Sequence, residues 1–199
     1  MPDLSLGEYI IKHHKTHLIF DFDGTLAYAK FPWKQWGVEV RDELRALDAE
    51  LWDAHEYRGS GPAQNEFVKR HGEAALTVLQ RHNAVFEMRY RDAVVRNNAL
   101  LREVAQFRDS YQLFMWTSNT RQLIDWVLAD NNMADWFEKI VTRNDVRFLK
   151  PSPEGFALIH DPTVPKENYV LVGDSSHDRG AAEAAGIAFY YTDDFGLGR

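Results

Sequence analysis

Five short runs along the chain are apolar or β-branched: His17–Phe22, Tyr111–Thr117, Lys139–Val141, Tyr169–Gly173 and Ile187–Tyr191. Runs of this length, bounded by turn residues, are the pattern of strands buried on both faces. Between the later runs the period changes. Leu100, Leu101, Val104 and Phe107 recur at helical spacing, as do Leu123, Ile124, Val127 and Leu128. An Ala-rich helix is expected at 179–185, with Gly186 as its left-handed cap. Strands alternating with helices predict an α/β fold, a Rossmann-like parallel sheet flanked by helices.

The first interval breaks this rhythm. Asp21 and Thr117 are 96 positions apart, whereas a βαβ crossover needs roughly 30 residues, so about 60 residues are inserted. The insertion reads as helical. Val40, Leu44, Leu47 and Leu51 form one stripe, and Leu76, Leu79, Phe86 and Tyr90 another, with Arg58-Gly59-Ser60-Gly61-Pro62 as the loop between them. Placed after the first strand, such an insertion overhangs the carboxyl ends of the sheet, where open α/β folds bind ligands. The expected organisation is a core of residues 1–27 and 98–199 with a helical cap domain over residues 28–97.

Composition narrows the function classes. With 199 residues, 45% hydrophobic and 27% charged, the chain can build a real core and is not disordered. No run approaches the ~18 apolar residues of a membrane span, and Asp3, Glu8 and Lys12 interrupt the N-terminus where a signal peptide needs an apolar stretch. The expectation is a cytoplasmic protein with no membrane partner. The absence of Cys excludes disulfides, thiolate nucleophiles and zinc ribbons, so any metal must sit on oxygen or imidazole. A net charge of −7 argues against a nucleic-acid partner. Residues 28–97 hold 11 basic and 11 acidic side chains, so the whole excess belongs to the remainder.

The chemistry begins at Asp21-Phe22-Asp23-Gly24-Thr25. Two carboxylates two residues apart leave a strand end on the same side, and Gly24 permits a tight turn. One carboxylate can serve as a nucleophile through an acyl phosphate while the other handles the leaving-group proton. The bland alternative is a polar turn. These residues resemble the first motif of the haloacid dehalogenase superfamily, and three more motifs follow in order. Leu113–Thr117 is an apolar strand ending in Thr117-Ser118, whose hydroxyl and following N–H groups suit a phosphate. Lys150-Pro151-Ser152-Pro153 is the third, with Ser152 and Pro153 expected as Ncap and first residue of a helix. The fourth is Val172-Gly173-Asp174-Ser175-Ser176-His177-Asp178.

The resemblance covers nearly the whole chain, and its cap is similar to the small helical cap of the phosphoglycolate phosphatase-like branch. It implies a Mg²⁺ held by Asp21, the backbone carbonyl of Asp23 and Asp174, with Asp178 behind them. It also implies Asp21 as nucleophile, Asp23 as acid and base, and Lys150, Thr117 and Ser118 on the phosphoryl group. Asp23 favours phosphate esters, because the dehalogenases and phosphonate-cleaving enzymes lack an acid at that spacing. The expected partner is a small phosphorylated substrate. A phosphomutase shares all four motifs, and a noncatalytic binding module shares the fold.

Within the insertion, residues 57–97 carry seven basic side chains (Arg58, Lys69, Arg70, Arg81, Arg89, Arg91, Arg96). Read singly, each is a solvated face residue. Trp33, Trp36 and Trp52 read as core aromatics rather than a stacking platform. His13 and His17 read as packing or surface residues, and His177 as a linker residue inside the fourth motif.

Overall fold

Leu18, Ile19 and Phe20 expose no surface, because strands cover both edges of the segment that holds them and packed cores cover both its faces. In the computed structural model, which describes residues 4–54, 61–130, 133 and 135–192, β1 (His17–Phe20) pairs in parallel with β4 (Gln112–Trp116) and β6 (Tyr169–Gly173). β5 (Lys139–Val141) and β7 (Ala188–Tyr191) complete a parallel sheet of order β5-β4-β1-β6-β7. The two-residue period of a strand then sorts the apolar runs into two cores. Ile19, Phe114, Trp116 and Leu171 pack against α8 (Glu154–Ile159) and α9 (Ser176–Ala185). Leu18, Phe20, Leu113, Met115, Val170 and Val172 pack against α1 (Leu6–Lys12), α6 (Asn98–Phe107) and α7 (Arg121–Asp130). Each such side chain fully removed from water contributes about 1.5–3 kcal/mol.

Between β2 (Ala27–Ala29) and β3 (Val94–Arg96), which pair antiparallel, lie α2 (Trp33–Leu47), α3 (Ala49–Ala54), α4 (Gly61–His71) and α5 (Glu73–Arg89). This helical segment after the first strand has the form of a cap. Its buried Trp36, Val40, Leu44 and Phe86 continue the second core without a break.

Four details differ from the sequence pattern. The stripe Val40–Leu51 is not one helix: Asp48 has extended backbone and its Oδ1 accepts from Leu51 N at 2.8 Å, so the residue whose backbone ends α2 also caps α3 with its carboxylate. Of the expected loop Arg58–Pro62, residues 58–60 lie outside the described residues, whereas Gly61 and Pro62 open α4. α9 begins at Ser176 rather than 179, because Ser175 and Asp178 form a capping box. α8 begins at Glu154 with Pro153 as its cap residue, one position later than expected, while Ser152 Oγ accepts weakly from Glu154 N at 3.4 Å.

Arg70, Arg81 and Arg89 pair with Asp48, Glu43 and Glu39, which makes them surface struts of the insertion. Trp36 and Trp52 are buried core. His13 follows α1 and packs on Tyr9, and His17 stacks on Phe114. Among the described residues, no helix is long and apolar enough to cross a membrane.

Candidate active site

β4, β1 and β6 are neighbours, so their carboxyl ends converge, and the backbone ladder runs one residue past β1 and β4. Asp21 N donates to Val172 O and Thr117 N to Val141 O, both at 2.9 Å. These bonds fix where the next side chains leave the sheet. Asp21, Asp23, Thr117, Ser118, Lys150, Asp174 and Asp178 all line one cavity of about 340 Å³. The structure therefore brings together every residue that the four motifs nominated.

Lys150 is the buried hub. Its Nζ donates to Asp21 Oδ1 at 2.6 Å, Asp178 Oδ1 at 2.5 Å and Trp116 O at 3.0 Å. Burial works against the ammonium, but the Asp178 and Asp21 charges outweigh it and lift the Lys150 pKa above its ordinary value. The same charges split the two acids. Asp178 falls below the usual carboxylate range: burial opposes this, and Lys150 together with the Ser175 hydroxyl and N–H overcomes it. Asp21 is pushed well above that range by burial and then by the Asp178 charge, despite Lys150.

Asp23 follows on the turn made by Gly24, half-buried, with its Oδ1 accepting from Ala29 N at 2.8 Å. On the β4 side, Thr117 Oγ1 donates to Asn119 Oδ1 at 2.8 Å and accepts from Asn119 N at 3.1 Å, which ties the hydroxyl into the turn before α7. At the end of β6, a Cβ on Gly173 would sit 2.7 Å from Asp178, so the absence of a side chain there lets α9 bring its acid over the strand end.

Asp21, Asp174 and Asp178 each offer a carboxylate oxygen within 4.8 Å of the others, and all three are buried. Three buried carboxylates against one ammonium leave an excess of negative charge, and oxygen donors without sulfur suit a hard cation. The donor set fits a magnesium-sized ion.

Other residues of the wall had no site role assigned from the motifs. Trp33 and Gly61 come from the insertion, and Gly61 lies against the Lys150 carbonyl. Asn65 of α4 clasps Leu149, donating to its carbonyl at 2.8 Å and accepting from its N–H at 2.7 Å, so the insertion grips the residue before the lysine. Asn119, Arg143, Ser175 and His177 also line the cavity. The signal for Arg143 was positional only: it lies two residues past a strand end on the side where ligands bind.

The family profile described as haloacid dehalogenase-like hydrolase matches residues 18–191. Pyrophosphatase PpaX of Bacillus cereus (strain Q1) is 24% identical over 177 residues, covering 85% of this chain and 79% of that protein. PpaX from other Bacillus strains matches over about 60% of its own length. Among solved structures, a putative haloacid dehalogenase-like hydrolase from Bacteroides fragilis superposes with a TM-score of 0.65 at 22% identity, covering 93% of this chain and 90% of that one. A putative phosphoglycolate phosphatase from Lactobacillus plantarum superposes with a TM-score of 0.61 at 18% identity, over 88% and 84%.

Proposed function

The chain belongs to the haloacid dehalogenase-like hydrolases, and from that premise we propose that it hydrolyses a small phosphomonoester through a phosphoryl group carried on Asp21. The observation that carries the reading is the Lys150 ammonium 2.6 Å from Asp21 in a cavity that Asp23 also lines. A nucleophile, its electrostatic partner and an acid two residues away occupy one site.

In the first step an Asp21 oxygen bonds to phosphorus, the ester P–O bond breaks, and the Asp23 carboxyl proton passes to the leaving oxygen. In the second, Asp23 takes a proton from water, the water oxygen bonds to phosphorus, and the Asp21–phosphorus bond breaks to give inorganic phosphate. Thr117 and Ser118 bind phosphoryl oxygens, and Lys150 neutralises charge on Asp21 and on the phosphoryl group. Mg²⁺ would be held by Asp21, the Asp23 carbonyl and Asp174, and when bound it supplies positive charge to the phosphoryl oxygens and offsets the carboxylate repulsion. Asp178 stands behind these ligands, since Lys150 and Ser175 already engage both of its oxygens.

Residues 28–97 act as a cap domain on a core of residues 1–27 and 98–199. Trp33 and Gly61 in the cavity wall support this, and such a roof favours small substrates over macromolecules.

The test is hydrolysis of an aryl phosphate by the full chain with and without Mg²⁺, beside Asp21→Asn. Turnover is expected only with metal, and the variant is expected to lose on the order of 10³-fold or more. Metal-independent turnover, or equal turnover by Asp21→Asn, would refute the reading.

A further inference from the structure

Two buried cations line the cavity, and carboxylates clamp only one of them. Lys150 sits between Asp21 and Asp178. Arg143, two residues past β5 and 5% exposed, has no such partner among the described residues. Its Nε donates to Ser118 O at 2.7 Å, one terminal nitrogen donates to Gln64 Oε1 at 3.3 Å, and its backbone N donates to Asn119 O at 3.1 Å. All three acceptors are neutral.

The carboxylate whose charge reaches Arg143 is Glu87 of α5, which is fully buried. Its Oε2 is already committed to Thr120, accepting from N at 2.8 Å and Oγ1 at 2.7 Å. Its Oε1 has no hydrogen-bond partner among the described residues. Within those residues, Glu87 and Arg143 do not come within the 4.0 Å of an ion pair. Among the described residues, a desolvated guanidinium thus lines the cavity with neutral hydrogen-bond acceptors and only a longer-range carboxylate charge, an arrangement that an anionic ligand on the cavity side would stabilise further.

Its position says which charge. The bond to Ser118 O places the guanidinium beside the turn that Thr117 opens, and Arg143 lines the same cavity as Asp21 and Thr117, so a molecule with its phosphoryl group on those two residues shares that cavity with Arg143. Gln64, itself held by Asn83 of α5, orients the guanidinium from the insertion side. A planar fork of donors fits an oxyanion.

We infer that Arg143 binds a second anionic group of the substrate, a carboxylate or a further phosphoryl group. The substrate class is then the phosphorylated hydroxy acids and bisphosphates rather than phosphate esters with a neutral body. This inference rests on the phosphatase reading of the same cavity.

The experiment compares matched substrates on the full chain with Mg²⁺. One arm sets 3-(phosphonooxy)propanoate against its carboxamide; the other sets propane-1,3-diol bisphosphate against the monophosphate. In the wild type, kcat/KM is expected to favour the doubly anionic member of at least one pair by roughly 10- to 100-fold, the range of a charge-assisted hydrogen bond. Which arm shows the preference identifies the group. Arg143→Met is expected to bring that ratio close to 1, and Arg143→Lys to restore part of it. A wild-type ratio near 1 in both arms overturns the inference without any variant, so poor folding of Arg143→Met does not remove the test. A ratio retained in Arg143→Met, with both members falling together, overturns it in favour of a residue that only positions the Ser118 turn. Failure of the wild type to turn over aryl phosphate as well would refute the phosphatase reading itself.

Discussion

At Gly24 the backbone turns with φ +85°, and a Cβ there would lie 2.3 Å from Asp174 Oδ2. The turn that aims Asp23 and the seat of the Asp174 carboxylate are therefore the same few atoms. An alanine would meet strain of order 1–3 kcal/mol from the left-handed backbone and would also displace Asp174. Gly24→Ala is expected to lower the melting temperature and raise the Mg²⁺ concentration needed for half-maximal turnover, read by thermal denaturation and a metal titration. Unchanged metal dependence would show that Asp174 can move aside freely. Asp21, Asp23 and Gly24 were legible in the sequence because their relation is local, set within four residues of one strand end. Arg143 was not, because its meaning comes from Ser118 and Gln64, which are 25 and 79 positions away.

Elements were legible where burial fixes them. Lys139–Val141 and Tyr169–Gly173 have the ends that their apolar runs predicted, and His17–Phe22 shortens to His17–Phe20 where the chain turns toward the site. The β2–β3 ribbon left no such trace, since three residues per strand, with Val95 and Arg96 exposed, give no readable period. Its identity is tertiary, and Asn97 shows how it is fastened. The Asn97 side chain caps α6 by accepting from Leu100 N at 3.1 Å and donates to Thr25 O at 3.0 Å, while its N–H donates to Leu26 O at 2.9 Å. One residue thus joins the end of the insertion to the loop carrying Asp23. Asn97→Ala is expected to cost about 1–2 kcal/mol, measured by urea denaturation. Asn97→Asp keeps the cap acceptor and loses the bond to Thr25, so it should fall between the two; equality with alanine would show that the donor matters more than the cap.

At the scale of the whole molecule, polar links from α4 and α5 fasten the insertion to the core: Asn65 to Leu149, Gln64 to Arg143, and Glu87 to Thr120. The last has a pH signature. Burial pushes Glu87 above its ordinary value of 4.5, against the pull of Arg143 and the Thr120 hydrogen bonds. Between that value and its folded pKa the native state holds a proton that the unfolded state has released, so this residue's contribution to stability falls as pH rises. Glu87→Gln removes the titration while keeping an oxygen for Thr120. The stability of Glu87→Gln relative to wild type is therefore expected to improve as pH rises from about 4.5 and to level off above the folded pKa, followed by chemical denaturation across that range. Asp21 is also raised, but it titrates in both proteins and cancels in the difference. A difference independent of pH would mean that Glu87 titrates alike in the folded and unfolded chain, and that the insertion meets the core there through an ordinary solvated carboxylate.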